Sequence, residues 1–173
     1  MPVYALGDLV PDIDASAWVA DEAVVIGAVT IGPGSTIWPT AVLRGDDGRI
    51  VIGAETSVQD GAVLHTLPEQ ATTVGDRCTI GHLAHLEGCI VEDDALVGTG
   101  AIVLHHAIIG ARALVGAGAL VPNRMHVPPD TVAVGVPAKV REGMVVDLEY
   151  NQQGAQRYVA RGARFRAELR RIG

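Results

Sequence analysis

The strongest constraint on this chain is a six-residue spacing of aliphatic side chains that begins at Ile13 and ends at Val127. The frame runs through Val19, Val25, Ile31, Ile37 and Leu43, resumes at Ile52, Val58 and Leu64, and resumes again at Val74, Ile80 and Leu86. After one contracted step it continues from Val91 through Val97, Val103, Ile109, Val115 and Val121. Four residues after most of these positions stands something small, as at Ala17, Ala23, Ser35, Thr56, Cys78 and Ala95. Each hexad supplies one short strand and one turn. Alternation along a strand sends the aliphatic and the small residue inward and the residues flanking the aliphatic outward. Three hexads close one triangular coil, and coils stack through parallel ladders. The fold class is therefore all-β, a parallel β-helix over about residues 11–140. Composition agrees: 24 Val, 12 Ile, 24 Ala and 21 Gly stand against only six aromatic residues, which suits a narrow, repetitive interior.

The frame breaks twice, and repeat arrays place such insertions on one binding face. Residues 44–51 and 65–73 are expected to protrude. Beyond Lys139 the pattern stops, and Tyr158, Gly162, Phe165, Leu169 and Ile172 step by four and three, which predicts an amphipathic helix in 142–173. The organisation expected is a hexapeptide β-helix domain, 1–141, followed by a C-terminal helical segment, 142–173, packed along the β-helix or a neighbouring subunit. A net charge of −7 argues against nucleic acid or an anionic membrane as partner. No apolar run reaches membrane-spanning length, and Met1-Pro2-Val3-Tyr4 opens no secretory signal. Two cysteines, Cys78 and Cys89, make no disulfide framework and both read as core, so a reducing cytoplasm is expected.

Chemistry must come from outward residues. In the frame, Val25, Leu43, Leu64, Leu86 and Val103 lie on one face, so Ile26, Arg44, His65, Glu87 and Leu104 form one outward column. Neighbouring members are spaced by about 4.8 Å, the strand separation in a sheet. His85 lies on the same face on the other side of Leu86, whereas His82 lies in the turn leading into it. His82 and Glu87 are separated by up to ~16 Å of extended chain, and zinc ligands must converge within ~2.0–2.2 Å of one ion. A metal shared by His65, His82 and Glu87 would therefore sit between two subunits of a cyclic homo-oligomer, with His82 arriving from the neighbour.

The strings Leu43-Arg44-Gly45-Asp46-Asp47, Ser57-Val58-Gln59-Asp60-Gly61-Ala62-Val63-Leu64-His65 and Ile80-Gly81-His82-Leu83-Ala84-His85-Leu86-Glu87-Gly88 resemble γ-class carbonic anhydrases. Gly135-Val136-Pro137-Ala138-Lys139 resembles the end of the same left-handed parallel β-helix family. The resemblance implies a homotrimer with a divalent metal at the subunit interface, held by three histidines, the middle one from the neighbour. Zinc is the first expectation, with iron and cobalt also feasible. His65 and His82 match the first two ligands; the third position holds Glu87 instead of histidine. Glu87 is chemically acceptable because His2Glu is an established zinc set, and His85 is the alternative third ligand.

The same resemblance makes Arg44 and Asp46 a pair that ties neighbouring subunits and orients the site. It places Gln59 and Asp60 beside the catalytic water and gives Asp47 a part in proton transfer. Ser57 stands where many relatives carry Asn. The implied reaction is reversible hydration of CO2 to bicarbonate by a metal-bound hydroxide. Two other functions remain open: a binding or assembly subunit without turnover, and an acyltransferase using His65 or His105 as general base. His105 and His106 are expected in a turn one coil beyond the site column, where they either line the pocket or, as the leading expectation, form plain surface.

Overall fold

A computed structural model describes residues 2–173. The chain winds about seven turns of a left-handed parallel β-helix and ends in one α-helix, Leu148–Glu168. One face stacks Val24–Ile31, Val42–Ile52, Val63–His65, His85–Glu87, Ile102–Val103 and Leu120–Val121 in parallel; it is called the column face below. A second face stacks Trp18–Val19, Thr36–Ile37, Ser57–Val58, Thr79–Ile80, Leu96–Val97, Leu114–Val115 and Val132–Val134, and the helix lies across its lower strands. The third face continues from the long strands through Thr72–Val74, Ile90–Val91, Ile108–Ile109 and His126–Val127. The first coil carries Val3–Tyr4, paired with Val25 and Ile26, and Lys139–Val140 closes the other end as the antiparallel partner of Val132–Val134.

The interior follows the hexad rule. Val25, Leu43, Leu64, Leu86, Val103 and Val121 are fully buried in one column, each stacked on the next. Burying each such side chain contributes about 1.5–3 kcal/mol, and the repeat multiplies that term without needing aromatic volume. Where the small corner residue is polar, it bonds inside the coil. Ser35 Oγ donates to Gly53 O at 2.6 Å, Thr56 Oγ1 to Gly75 O at 2.7 Å, and the Cys78 thiol to Glu92 O at 3.1 Å. Burial pushes the Cys78 and Cys89 thiols up to about 12, in keeping with core positions.

Two sequence expectations are corrected. Residues 44–51 do not protrude as a loop: they lie within the 11-residue strand Val42–Ile52, which turns the corner from the column face to the third face. Two glycines permit this. Gly27 has φ +76°, and a Cβ there would stand 2.3 Å from Gly45 O, so the paired long strands cross the irregularity at Gly27/Val29 only with glycine. Of residues 65–73, 66–71 form a loop closed by a bridge between Leu67 and Gln70, while His65, Thr72 and Thr73 belong to the flanking strands.

The helix also spans less than 142–173. Gly143 sits at φ +76°, and the first helical turn opens where Asn151 N donates to Asp147 O at 3.1 Å. From there the helix runs back toward the first coil, where Arg166 donates to Ser16 O at 3.2 Å. Tyr158 and Phe165 meet Trp38 edge-on at 5.4 and 5.1 Å, and Trp38 lies 4.8 Å from Trp18. Gly162 belongs to this seam because a Cβ would strike Thr36 Cγ2 at 2.5 Å. Leu169 and Ile172 continue the same stripe in sequence, but they follow the last helical residue and are exposed, the helix having run past the lowest coil.

Candidate functional site

The column derived from the hexad frame exists in the register. Arg44 pairs with His65, and His65 with Glu87, on adjacent coils of the column face. The inward Leu43, Leu64 and Leu86 hold these positions in line, so the outward side chains stack at ladder spacing. His65 is clamped from both sides: its Nε2 lies 3.2 Å from Asp46 Oδ1 and its Nδ1 lies 3.2 Å from Glu87 Oε1. Arg44 Nη1 donates to the other oxygen of Asp46. Asp46 and Asp47 follow Arg44 on the long strand, and their carboxylates with His65 bring one donor atom each to within 4.8 Å of one another.

Glu87 is the hub of the upper half. Its Oε1 faces His65, while Oε2 lies 3.7 Å from His85 Nε2 and 3.6 Å from His105 Nδ1. The last two separations exceed hydrogen-bonding distance, and His105 Nδ1 is buried without a hydrogen-bond partner among the described residues. Burial by itself would raise the Glu87 carboxyl, but the His65 hydrogen bond and the fields of His105, His85 and His65 outweigh it and hold the group below its usual range. For Asp46 burial again opposes ionisation, and the backbone hydrogen bond, Arg44 and His65 together prevail. The expectation of a surface turn for His105 holds only in part. The residue does occupy the turn, yet it approaches the hub, which the column arithmetic misses because His105 lies outside the outward column.

The strand scaffold beneath is tied by Thr72. This fully buried residue donates Oγ1 to His65 O at 2.5 Å and accepts from Gly88 N at 2.8 Å, joining the ends of the two site strands. The hexad frame does not single it out, although a threonine in the insertion between two site strands was available as a signal. Ser57 serves the scaffold as well, its Oγ accepting from Trp38 Nε1 at 3.1 Å.

His82 is placed apart from this group, in the turn after Ile80. Its Nδ1 lies 2.9 Å from Asp60 Oδ2, one coil below, and both side chains are nearly half exposed. Gln59 precedes Asp60 on the adjoining face and is almost wholly buried, with 5% of its surface exposed. Thus Arg44, Asp46, Asp47, His65, His85 and Glu87 gather on one face, while Gln59, Asp60 and His82 gather at a corner.

A family model for bacterial transferase hexapeptides (six repeats) matches residues 88–123. Among curated proteins, the chain is 39% identical to a carbonic anhydrase of Geobacillus kaustophilus, over 95% of this chain and 91% of that protein. The chain belongs to the γ-carbonic anhydrase-like family of hexapeptide-repeat proteins. It is 40% identical to the mitochondrial γ carbonic anhydrase 2 of Arabidopsis thaliana over 88% of this chain, spanning 57% of that longer protein. A carnitine operon protein CaiE of Citrobacter koseri is 38% identical over 98% of this chain and 86% of its own length. A solved structure of a putative acetyltransferase from Bacillus cereus superposes with a TM-score of 0.92 at 37% identity, covering 95% of this chain and 96% of that one. The family is thus plain, while its members carry names from more than one functional class.

Proposed function

We propose that this γ-carbonic anhydrase-like chain is a metal-dependent hydratase that converts CO2 and bicarbonate reversibly at the interfaces of a homotrimer. The observation that carries the reading is the Asp60–His82 pair. A carboxylate accepting from Nδ1–H leaves Nε2 as the outward lone pair, the arrangement that orients histidine ligands in metal sites. His82 has no second histidine or cysteine joined to it among the described contacts, so a ligand role calls for donors from another copy. Leu83 beside it is 68% exposed in a left-handed turn, and Val63 and Ile102 flank His85 as exposed aliphatics, surface that a neighbouring subunit would cover.

The donor set fits a divalent cation of intermediate hardness, since imidazole and carboxylate both suit zinc, with iron and cobalt as further candidates. His65 and Glu87 of one subunit with His82 of the next would hold it, and His85 stands by as the alternative to Glu87. Binding would exchange one of the two carboxylate contacts of His65 for the cation. The bound ion would supply an acidified water near neutral pH, the requirement of CO2 hydration. Gln59 would present its carboxamide to bicarbonate, Asp60 would keep the proton on His82 Nδ1, and Arg44 would hold Asp46 against His65. Asp47, exposed beside Asp46, would pass protons to solvent.

Metal content per subunit and stopped-flow CO2 hydration test this on wild type, His82→Ala and Asp60→Asn. Wild type should carry metal and turn over, His82→Ala should lose the metal with its fold intact, and Asp60→Asn should bind metal about 10–100-fold more weakly. A stable monomer in light scattering, or unchanged metal in His82→Ala, overturns the reading. Loaded but inactive wild type leaves a binding or assembly subunit. Acyl transfer draws support from the acetyltransferase-like structural neighbour and from the unpartnered His105 Nδ1; acetyl-CoA binding measured by calorimetry decides it.

A further inference from the structure

The helix leaves the upper half of its β-helix face uncovered, and a groove of about 560 Å3 opens there, within the size range of small-molecule sites. Its floor is aliphatic, Leu96 and Leu114, bordered by the bare strip Gly81, Gly98 and Gly116. Those glycines answer to coil stacking: a Cβ on Gly81 would meet Thr99 N at 2.6 Å, and one on Gly98 would meet Ala117 N at 2.6 Å. The flat strip is what stacking leaves behind. The opposite wall is the helix, with Tyr158 and with the Arg161 guanidinium stacked 5.0 Å from the Tyr158 ring centroid. A stacked guanidinium keeps its in-plane N–H donors for an anion. At the lower end lies Gln59, almost wholly buried, whose carboxamide makes no side-chain hydrogen bond among the described residues. An amide that lines the groove without a side-chain partner is free to bond an occupant.

We infer that this groove binds an aliphatic carboxylate, its chain along Leu96 and Leu114 and its head group between Arg161 and the Gln59 amide. The charge supports an anion, because a guanidinium-lined groove stands out on a chain of net charge −7. Aliphatic floor and polar end together favour a carboxylate with a hydrocarbon body over a bare inorganic anion. The groove lies within one chain and needs neither metal nor the hydratase reading. Thr99 on its rim stands one coil above His82, and Gly100 N donates to His82 O at 2.8 Å, so an occupant would sit beside that corner.

The test is a titration of full-length, chelator-treated protein with octanoate, followed by calorimetry and by tryptophan fluorescence, since Trp38 touches Tyr158. Octanoate should bind and perturb the fluorescence, 1-octanol should bind far more weakly, and inorganic phosphate should not bind. Arg161→Gln should weaken octanoate about ten- to a hundredfold, the loss of a charge-assisted hydrogen bond. Leu114→Thr should weaken it as well, while Arg164→Gln, less than one turn along the helix from Arg161 but outside the groove lining, should leave it unchanged. Equal binding to wild type and Arg161→Gln, or equal binding of octanol and octanoate, overturns the assignment. So does absence of octanoate binding, and in that case cross-linking from Tyr158 to a second copy would identify a subunit as the true occupant.

Discussion

The corner column Arg77, Asp94, Arg112 and Asp130 and the face column Arg44, His65 and Glu87 both stack ionisable groups one coil apart, on opposite terms. At the corner every member sits in the left-handed region, φ 54° to 61°, and charges alternate along the stack. Arg77 forks onto Asp94 with two bonds of 2.9 Å, and Arg112 onto Asp130 at 2.6 and 2.7 Å. Each fork neutralises itself, and the Arg112–Asp130 fork faces water. On the face, one carboxylate meets three imidazoles, and both nitrogens of His65 meet carboxylates. There His65 and Glu87 are largely shielded, their partners can exchange, and one imidazole nitrogen of His105 is left without a bond. A repeat fold stacks like positions whether or not that is useful. The corner cancels the resulting charge, whereas the face keeps it in groups that can take a proton or a cation.

That contrast predicts where the chain is fragile. The face column depends on a buried brace, Thr72, whose hydroxyl ties the two site strands together. Thr72→Val keeps the shape but leaves His65 O and Gly88 N without their partner. Losing these buried bonds should cost about 2–4 kcal/mol, read as a lower urea midpoint with an unchanged slope. The His65 and His85 ring resonances should shift as the two site strands lose their common anchor. A variant with wild-type stability would mean that water replaces the hydroxyl and that the face column does not rely on the brace.

The difference between the columns also explains what was legible in the sequence. The hexad frame alone placed Arg44, His65 and Glu87 in one line, because a repeat converts sequence spacing directly into height and face. Faces are easy to read; corners are not. His105 meets Glu87 from a turn, and the long strand through residues 44–51 follows a glycine-dependent corner that aliphatic spacing cannot express. The helix shows the same limit. Its stripe was visible, but its end is set by where the lowest coil stops, a tertiary fact, so Leu169 and Ile172 fell outside it. The proposed site joins His65 and Glu87 of one chain to His82 of another, which is why Asp60 and His82 look idle beside the face they are proposed to serve.

A smaller effect should separate the columns by pH. Glu87 is held below its ordinary range in the folded chain. A depressed carboxyl contributes stability that is present above its unfolded pKa and is lost as pH falls through the folded one. Metal-free wild type should therefore lose stability as pH falls below the ordinary carboxylate value, about 4.3 for Glu. Glu87→Gln should flatten that slope while changing the neutral-pH unfolding midpoint less than Thr72→Val does. Parallel slopes in the two proteins would show that the imidazoles do not sustain the Glu87 charge.

The least effect belongs to the corner forks, and salt is the variable that exposes it. Arg112 and Asp130 shift each other's ionisation chiefly through their hydrogen bonds and charge, but both side chains are about half exposed. Exposed pairs of this kind contribute little, because water already solvates each charge and ordering two long side chains opposes the gain. Arg112→Gln should thus lower the melting temperature slightly at low ionic strength, and the difference should vanish in about 1 M NaCl, where charges are screened within about 3 Å. The partner variant Asp130→Asn should behave alike, and the double variant should be no worse than either single one, since removing one arm of a fork already ends its interaction. On the face column the same salt series should leave the Thr72→Val deficit intact, because a buried neutral hydrogen bond has no charge to screen. A fork deficit that persisted in salt would assign the corner a packing role, through the Arg112 stem covering the coil beneath it, and the two columns would then differ in chemistry but not in how they support the fold.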